Sequence, residues 1–175
     1  LGLGIGPGDE VVVPGWCFAA AANMALACGA KPVFVDVEDG TWLLNSADVA
    51  RCVTSRTRAI VAVHTYGNLC DMAGLSAIAR MHRVALIEDC AESLFSRRFG
   101  ALCGTFGDVA TFSFQATKTI TCGEGGLVLA RDPELADRMR LIRNHGMTPD
   151  RKYWHHVVGH NFRLTNIRVE RETGL

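Results

Sequence analysis

Apolar residues along this chain gather in short, nearly continuous β-branched runs, and the stretches between them change to helical character. The runs are Glu10-Val-Val-Val-Pro14, Pro32-Val-Phe-Val-Asp-Val37, Arg58-Ala-Ile-Val-Ala-Val-His64 and Val84-Ala-Leu-Ile-Glu-Asp89. Strands without polar alternation are strands covered on both faces. Two further strand-like runs occupy 108–114 and 126–130. Between them, Phe18 to Ala27 is rich in strong helix formers and Gly29 follows as a C-cap. A helix with Ser46 as N-cap covers 46–53, another covers 74–82, and one with charges along one side covers 133–143. Strands alternating with helices make βαβ units, whose right-handed crossovers place helices on both sides of a sheet. The expected fold class is therefore α/β: a three-layer α/β/α sandwich with a mostly parallel sheet.

Composition agrees with one sizeable core. Of 175 residues 49% are hydrophobic and 21% charged, with 18 basic against 18 acidic side chains. Balanced charge gives no footprint for a polyanion, and no nucleic-acid partner is expected. The longest apolar stretch, 18–30, is interrupted by Asn23 and too short to span a bilayer, so no membrane partner is expected either. Seven cysteines at wide spacing, an odd number without any C-x-x-C pair, read as reduced thiols in the cytoplasm. The same spacing disfavours zinc, and no metal site is expected. His155, His156 and His160 beside Trp154 read as a surface or interface cluster. The chain opens on Leu-Gly-Leu-Gly-Ile-Gly without a methionine and closes on Arg-Glu-Thr-Gly-Leu. Both ends suggest a piece of a longer protein.

In parallel sheets ligands bind beyond the carboxyl ends of the strands. Asp89, flanked by Glu88 and Glu92, follows one strand. Ser113 and then Lys118 follow another, with Gly123, Gly125 and Gly126 beyond, and Trp16 and Phe18 follow the first strand. Singly each has a bland explanation: a turn aspartate, a solvated lysine, turn glycines, a core phenylalanine. Jointly they suit pyridoxal phosphate, which needs a lysine amine, a carboxylate against its pyridinium nitrogen and donors for a phosphate. The glycines at 2, 4, 6 and 8 are no dinucleotide fingerprint, because no strand precedes them and no helix follows.

These motifs also run in a familiar order. Gly8-Asp-Glu-Val, Gly29-Ala-Lys-Pro-Val-Phe-Val-Asp-Val37, Glu88-Asp-Cys-Ala-Glu92, Gly107-Asp108 and Phe112-Ser-Phe-Gln-Ala-Thr-Lys118 are followed by three more segments. Those are Gly123-Glu-Gly-Gly126, Arg143-Asn-His-Gly146 and Gly159-His-Asn-Phe-Arg163. The series closely resembles the DegT/DnrJ/StrS family of sugar aminotransferases, fold-type I pyridoxal phosphate enzymes, over roughly residues 3 to 167.

The resemblance implies roles residue by residue. Lys118 is the catalytic lysine, attached to the cofactor and then acting as acid and base. Asp89 pairs with the pyridinium nitrogen, the Ser113 hydroxyl binds the phosphate, and Phe18 stacks on the ring. Asn161 reaches the cofactor of a neighbouring subunit, so a homodimer with shared sites is implied. Glu92 stands where Gln or His is commoner and is assigned to the cofactor's hydroxyl side or the substrate. The implied reaction moves an amino group from L-glutamate to a keto sugar on a nucleotide diphosphate, for lipopolysaccharide, capsule or other amino-sugar synthesis.

By the same resemblance, 1–167 form a large domain incomplete at its N-terminus. Residues 168–175 start the connection to a small domain beyond the sequence, and such a piece is expected to bind cofactor weakly by itself. Two rival readings stay open: a non-catalytic module that only binds ligand or dimerises, and a family member acting on a cyclitol or making aminohydroxybenzoate.

Overall fold

A computed structural model describes residues 1–164. Four strands, β1 (Glu10–Pro14), β2 (Lys31–Val35), β3 (Thr57–Val63) and β4 (Ala85–Asp89), coincide with the four apolar runs to within two residues. A two-residue hairpin pair, β5 (Arg97–Arg98) and β6 (Ala101–Leu102), lies outside the main sheet. β7 (Val109–Ser113) and β8 (Gly126–Ala130) complete a six-stranded sheet ordered β2-β1-β3-β4-β7-β8. All neighbours are parallel except β7 and β8, which pair antiparallel from Ser113 opposite Gly126 to Val109 opposite Ala130. The mostly parallel α/β expectation holds, with β8 as its one reversed strand among the described residues.

Alternation along the central strands builds two cores. Val12, Ile60, Ala62 and Leu86 face helices α2 (Ser46–Cys52) and α3 (Met72–His82), packing on Val49, Met72, Leu75 and Ala79. Val11, Val13, Ala59, Val61 and Val63 face the other way, toward Ala25 of α1 (Ala20–Ala27). A third cluster of Leu69, Cys90, Cys103, Ala110 and Phe112 sits under the β5–β6 hairpin region. A fourth helix, α4 (Pro133–Arg143), follows β8 and packs on it.

Local chemistry explains most element ends. Gly29 ends α1 with φ +80°, and the N–H of Ala30 reaches back to the Ala25 carbonyl, a left-handed cap that glycine adopts without strain. Ser46, expected as a cap, is instead the first residue of α2. The cap is Asn45, whose side chain accepts from the Asp48 N–H at 3.1 Å. Ser46 donates to Asp71 at 3.3 Å, and Asp71 itself caps α3 through the Gly74 N–H. That sequence-based expectation is corrected because the helix begins one residue later than the cap, and two good capping residues stand side by side.

Candidate functional site

The parallel strands bring their carboxyl ends to one edge, and the residues singled out by sequence follow those ends. Asp89 is the last residue of β4, level with Val63 of β3 and Thr111 of β7. Glu92 lies in the turn after it. Ser113 ends β7, and Lys118 lies in the loop that leads to Gly126 at the start of β8. Phe18 follows β1 and is 81% exposed.

The titratable groups at this edge interact. Lys118 Nζ lies 3.8 Å from Glu92 Oε1, and Glu92 Oε2 accepts from the Tyr66 N–H at 2.8 Å. Asp89 Oδ1 accepts from the Ala91 N–H at 3.0 Å. Burial pushes the Asp89 carboxyl above its ordinary value; the Ala91 hydrogen bond and the Lys118 charge pull the other way without cancelling it, and Glu92 adds to the rise. A carboxylate held so is a receptor for a further cation. The Ser113 hydroxyl accepts from the Gln115 N–H at 3.3 Å, which orients it at the mouth of the loop. Gly123 and Gly125 that follow have φ of +90° and +134°, conformations reserved for glycine. Asn161 is placed by other contacts, bridging Asn144 beyond α4 and accepting from Arg163 Nε at 3.0 Å.

A second layer lies directly beneath. Glu88 and His64 are both fully buried, with Oε2 and Nε2 3.1 Å apart. His64 Nδ1 accepts from the Cys70 N–H at 3.3 Å, so Nε2 carries the hydrogen and donates to Glu88. The remaining capacity of Glu88 is taken by the N–H groups of Gly104 at 2.8 Å, Phe106 at 2.7 Å and Gly107 at 2.6 Å. Burial by itself would raise the Glu88 pKa, but His64 and these amides outweigh it and hold the carboxyl below its ordinary value. His64, Glu88 and Cys90 approach closely enough to share a metal ion, yet a carboxylate with four donors already in place has no need of one.

The His64 and Tyr66 contacts escaped the sequence reading. The available signal was Glu88 itself, a charge inside an apolar strand, which obliges the fold to supply partners. His155 and His156 are exposed at the surface, and His155 Nδ1 lies 2.8 Å from the His145 carbonyl oxygen. Among the described residues no helix is long and apolar enough to cross a membrane.

The donor set fits pyridoxal phosphate. A carboxylate poised for a cation, an amine next to a carboxylate, a strand-end hydroxyl beside a glycine turn and an open aromatic ring are complementary to its nitrogen, aldehyde, phosphate and ring face.

Comparisons with known proteins point the same way. The sequence model of the DegT/DnrJ/EryC1/StrS aminotransferase family matches residues 1–169. A GDP-perosamine synthase of Caulobacter vibrioides is 47% identical over 169 residues, covering 97% of this chain and 46% of that protein. The aminotransferase TlmJ from Streptoalloteichus hindustanus superposes with a TM-score of 0.93 at 37% identity, over 99% of this chain and 47% of that one. Spr1654 from Streptococcus pneumoniae, solved in a PLP form, gives a TM-score of 0.91 at 26% identity, over 98% and 49% of the two chains. The chain thus spans about half the length of the relatives it matches.

Proposed function

The chain belongs to the DegT/DnrJ/EryC1/StrS aminotransferase family, and on that premise we propose that it forms the cofactor-binding large domain of a sugar transaminase. The substrates are L-glutamate and a keto sugar carried on a nucleotide diphosphate, the product an amino sugar for lipopolysaccharide or related polymers, and the setting the cytoplasm. The relative named GDP-perosamine synthase makes a guanosine diphosphate sugar the first acceptor to assay. Residues 1–167 are assigned to the large domain; 168–175, assigned to the connection beyond it, fall outside the described residues.

The observation that carries this reading is the meeting of Lys118, Glu92 and Asp89 at the carboxyl edge of the parallel sheet. Pyridoxal phosphate, when bound, supplies the electron sink that makes a substrate Cα–H acidic. Asp89 would hold its ring nitrogen, since a buried carboxylate is stabilised by a cation and keeps that cation protonated. The Ser113 hydroxyl and the glycine loop after Lys118 would hold the phosphate, and Phe18 would cover one ring face. Lys118 would hold the cofactor through Nζ, and its free amine would take the proton from Cα of glutamate and return one to the sugar carbon that receives nitrogen. One amine serving both halves implies ping-pong kinetics.

Asn161 would serve the partner's cofactor in a homodimer. Exposed apolar side chains support an assembly larger than this chain: Met24 at 61%, Leu26 at 59% and Phe34 at 61%.

Borohydride treatment of the holoenzyme, followed by peptide mass mapping, tests the assignment. The phosphopyridoxyl mass is expected on the peptide bearing Lys118 alone. Lys118→Ala should remove that label and lower the glutamate-driven spectral change at least about a thousandfold. Labelling scattered over surface lysines of a folded protein would count against the site.

A further inference from the structure

The connection between β3 and α3 breaks two rules of local structure beside the site. Tyr66 has φ 54° and ψ 26°, the left-handed region that is strained for a bulky L-residue. Burial offers no compensation, because the residue is 73% exposed. Its neighbour Thr65 is buried at 5% exposure, with Oγ1 lacking a hydrogen-bond partner among the described residues. Local violations of this kind gather where function requires them.

What holds Tyr66 is Glu92. Its Oε2 accepts the Tyr66 N–H at 2.8 Å while its Oε1 faces Lys118 Nζ at 3.8 Å. One carboxylate therefore couples the amine to the backbone that carries this exposed ring. The adjoining Gly67 packs close on the next turn: a Cβ there would lie 3.4 Å from the Glu92 carbonyl oxygen and 3.5 Å from Ser96 Oγ. In that turn Phe95 also has positive φ, 68°, and is 65% exposed. Two exposed aromatic residues with fixed backbones thus stand on the two turns that Glu92 joins.

We propose that Tyr66 is a specificity residue for the acceptor, receiving the apolar C–H face of the sugar ring on its aromatic face and a sugar hydroxyl at its phenol, with Glu92 as its positioning residue. This rests on the transaminase reading. A pyranose has both an apolar face and hydroxyls, which a tyrosine matches with its ring and its polar tip. Glutamate, the amino donor, has no such ring. Tyr66 therefore distinguishes the two half-reactions, whereas Lys118 and Asp89 serve both.

The test separates the half-reactions in the full-length holoenzyme. Tyr66→Leu is expected to lower kcat/KM for the keto sugar about 10- to 100-fold, chiefly through KM, and to weaken binding of the amino-sugar product in calorimetry by a like factor. The glutamate-driven spectral change should keep its rate within about twofold, and Tyr66→Phe, which keeps the ring and loses the phenol, should recover the sugar reaction only in part. Equal loss in both half-reactions assigns Tyr66 to the scaffold and overturns the proposal, as does loss in neither. A wild-type holoenzyme inert to glutamate overturns the transaminase reading itself, an outcome seen without any Tyr66 variant.

Discussion

At the scale of single residues, the two neighbouring acids that end β4 behave in opposite ways. Glu88 has a folded pKa below its ordinary 4.5, so the stability it contributes is fully present above that pH and is lost as pH falls through the lower folded value. Asp89 has a folded pKa above its ordinary 3.8, so its ionisation costs stability as pH rises through 3.8, and the full cost applies above the folded value. Glu88→Gln places an amide among three backbone N–H donors and is expected to lose about 2–4 kcal/mol at pH 7. Urea midpoints measured from pH 7 to pH 3 should fall less steeply for this variant than for the parent. Asp89→Asn should do the reverse at neutral pH, raising the stability of the cofactor-free chain by about 1 kcal/mol while weakening pyridoxal phosphate binding. A urea titration paired with a cofactor absorbance titration checks both halves. The site acid is held at a cost, and the acid beneath it stabilises the strand end that carries it.

Elements are joined by equally specific chemistry. Asn45 caps α2 and Asp71 caps α3, and Ser46 bridges the two helix starts through its bond to Asp71. Asn45→Ala should cost about 1 kcal/mol and Ser46→Ala about half that, a ranking that thermal denaturation of the two variants decides. The turn before β7 tolerates no side chain at 107: a Cβ on Gly107 would stand 2.6 Å from the Leu86 carbonyl oxygen. Gly107→Ala must therefore either push β7 from β4 or tear its own N–H from Glu88. A loss of about 2 kcal/mol or more is expected, with slower folding only if this turn forms early. Gly107 stood out in the sequence only as part of the Gly107-Asp108 motif, and the close approach that demands glycine was not legible, because the atom a side chain would strike belongs to a strand twenty-one residues away.

For the molecule as a whole, the sheet is unevenly covered. Its centre is closed on both faces, whereas the edge strand β8 leaves Leu127, Val128 and Leu129 between 43% and 52% exposed. An edge strand with apolar side chains on both faces invites pairing. Light scattering of the 18.9 kDa chain should accordingly report a mass above the monomer, and Val128→Lys should shift it downward. The alternation of apolar runs and helix formers was enough to read the strands, the helices and the α/β class from sequence, because burial on both faces leaves its mark in local composition. The chain order of Asp89, Ser113 and Lys118 likewise pointed to the candidate site, because strand ends are where a parallel sheet gathers chemistry. Tertiary structure alone decided that β8 runs antiparallel, since pairing direction depends on where the chain returns. It alone paired His64 with Glu88 across twenty-four residues and set Tyr66 against Glu92. Those contacts join residues distant in sequence through the sheet register and through backbone donors, and no local pattern encodes either.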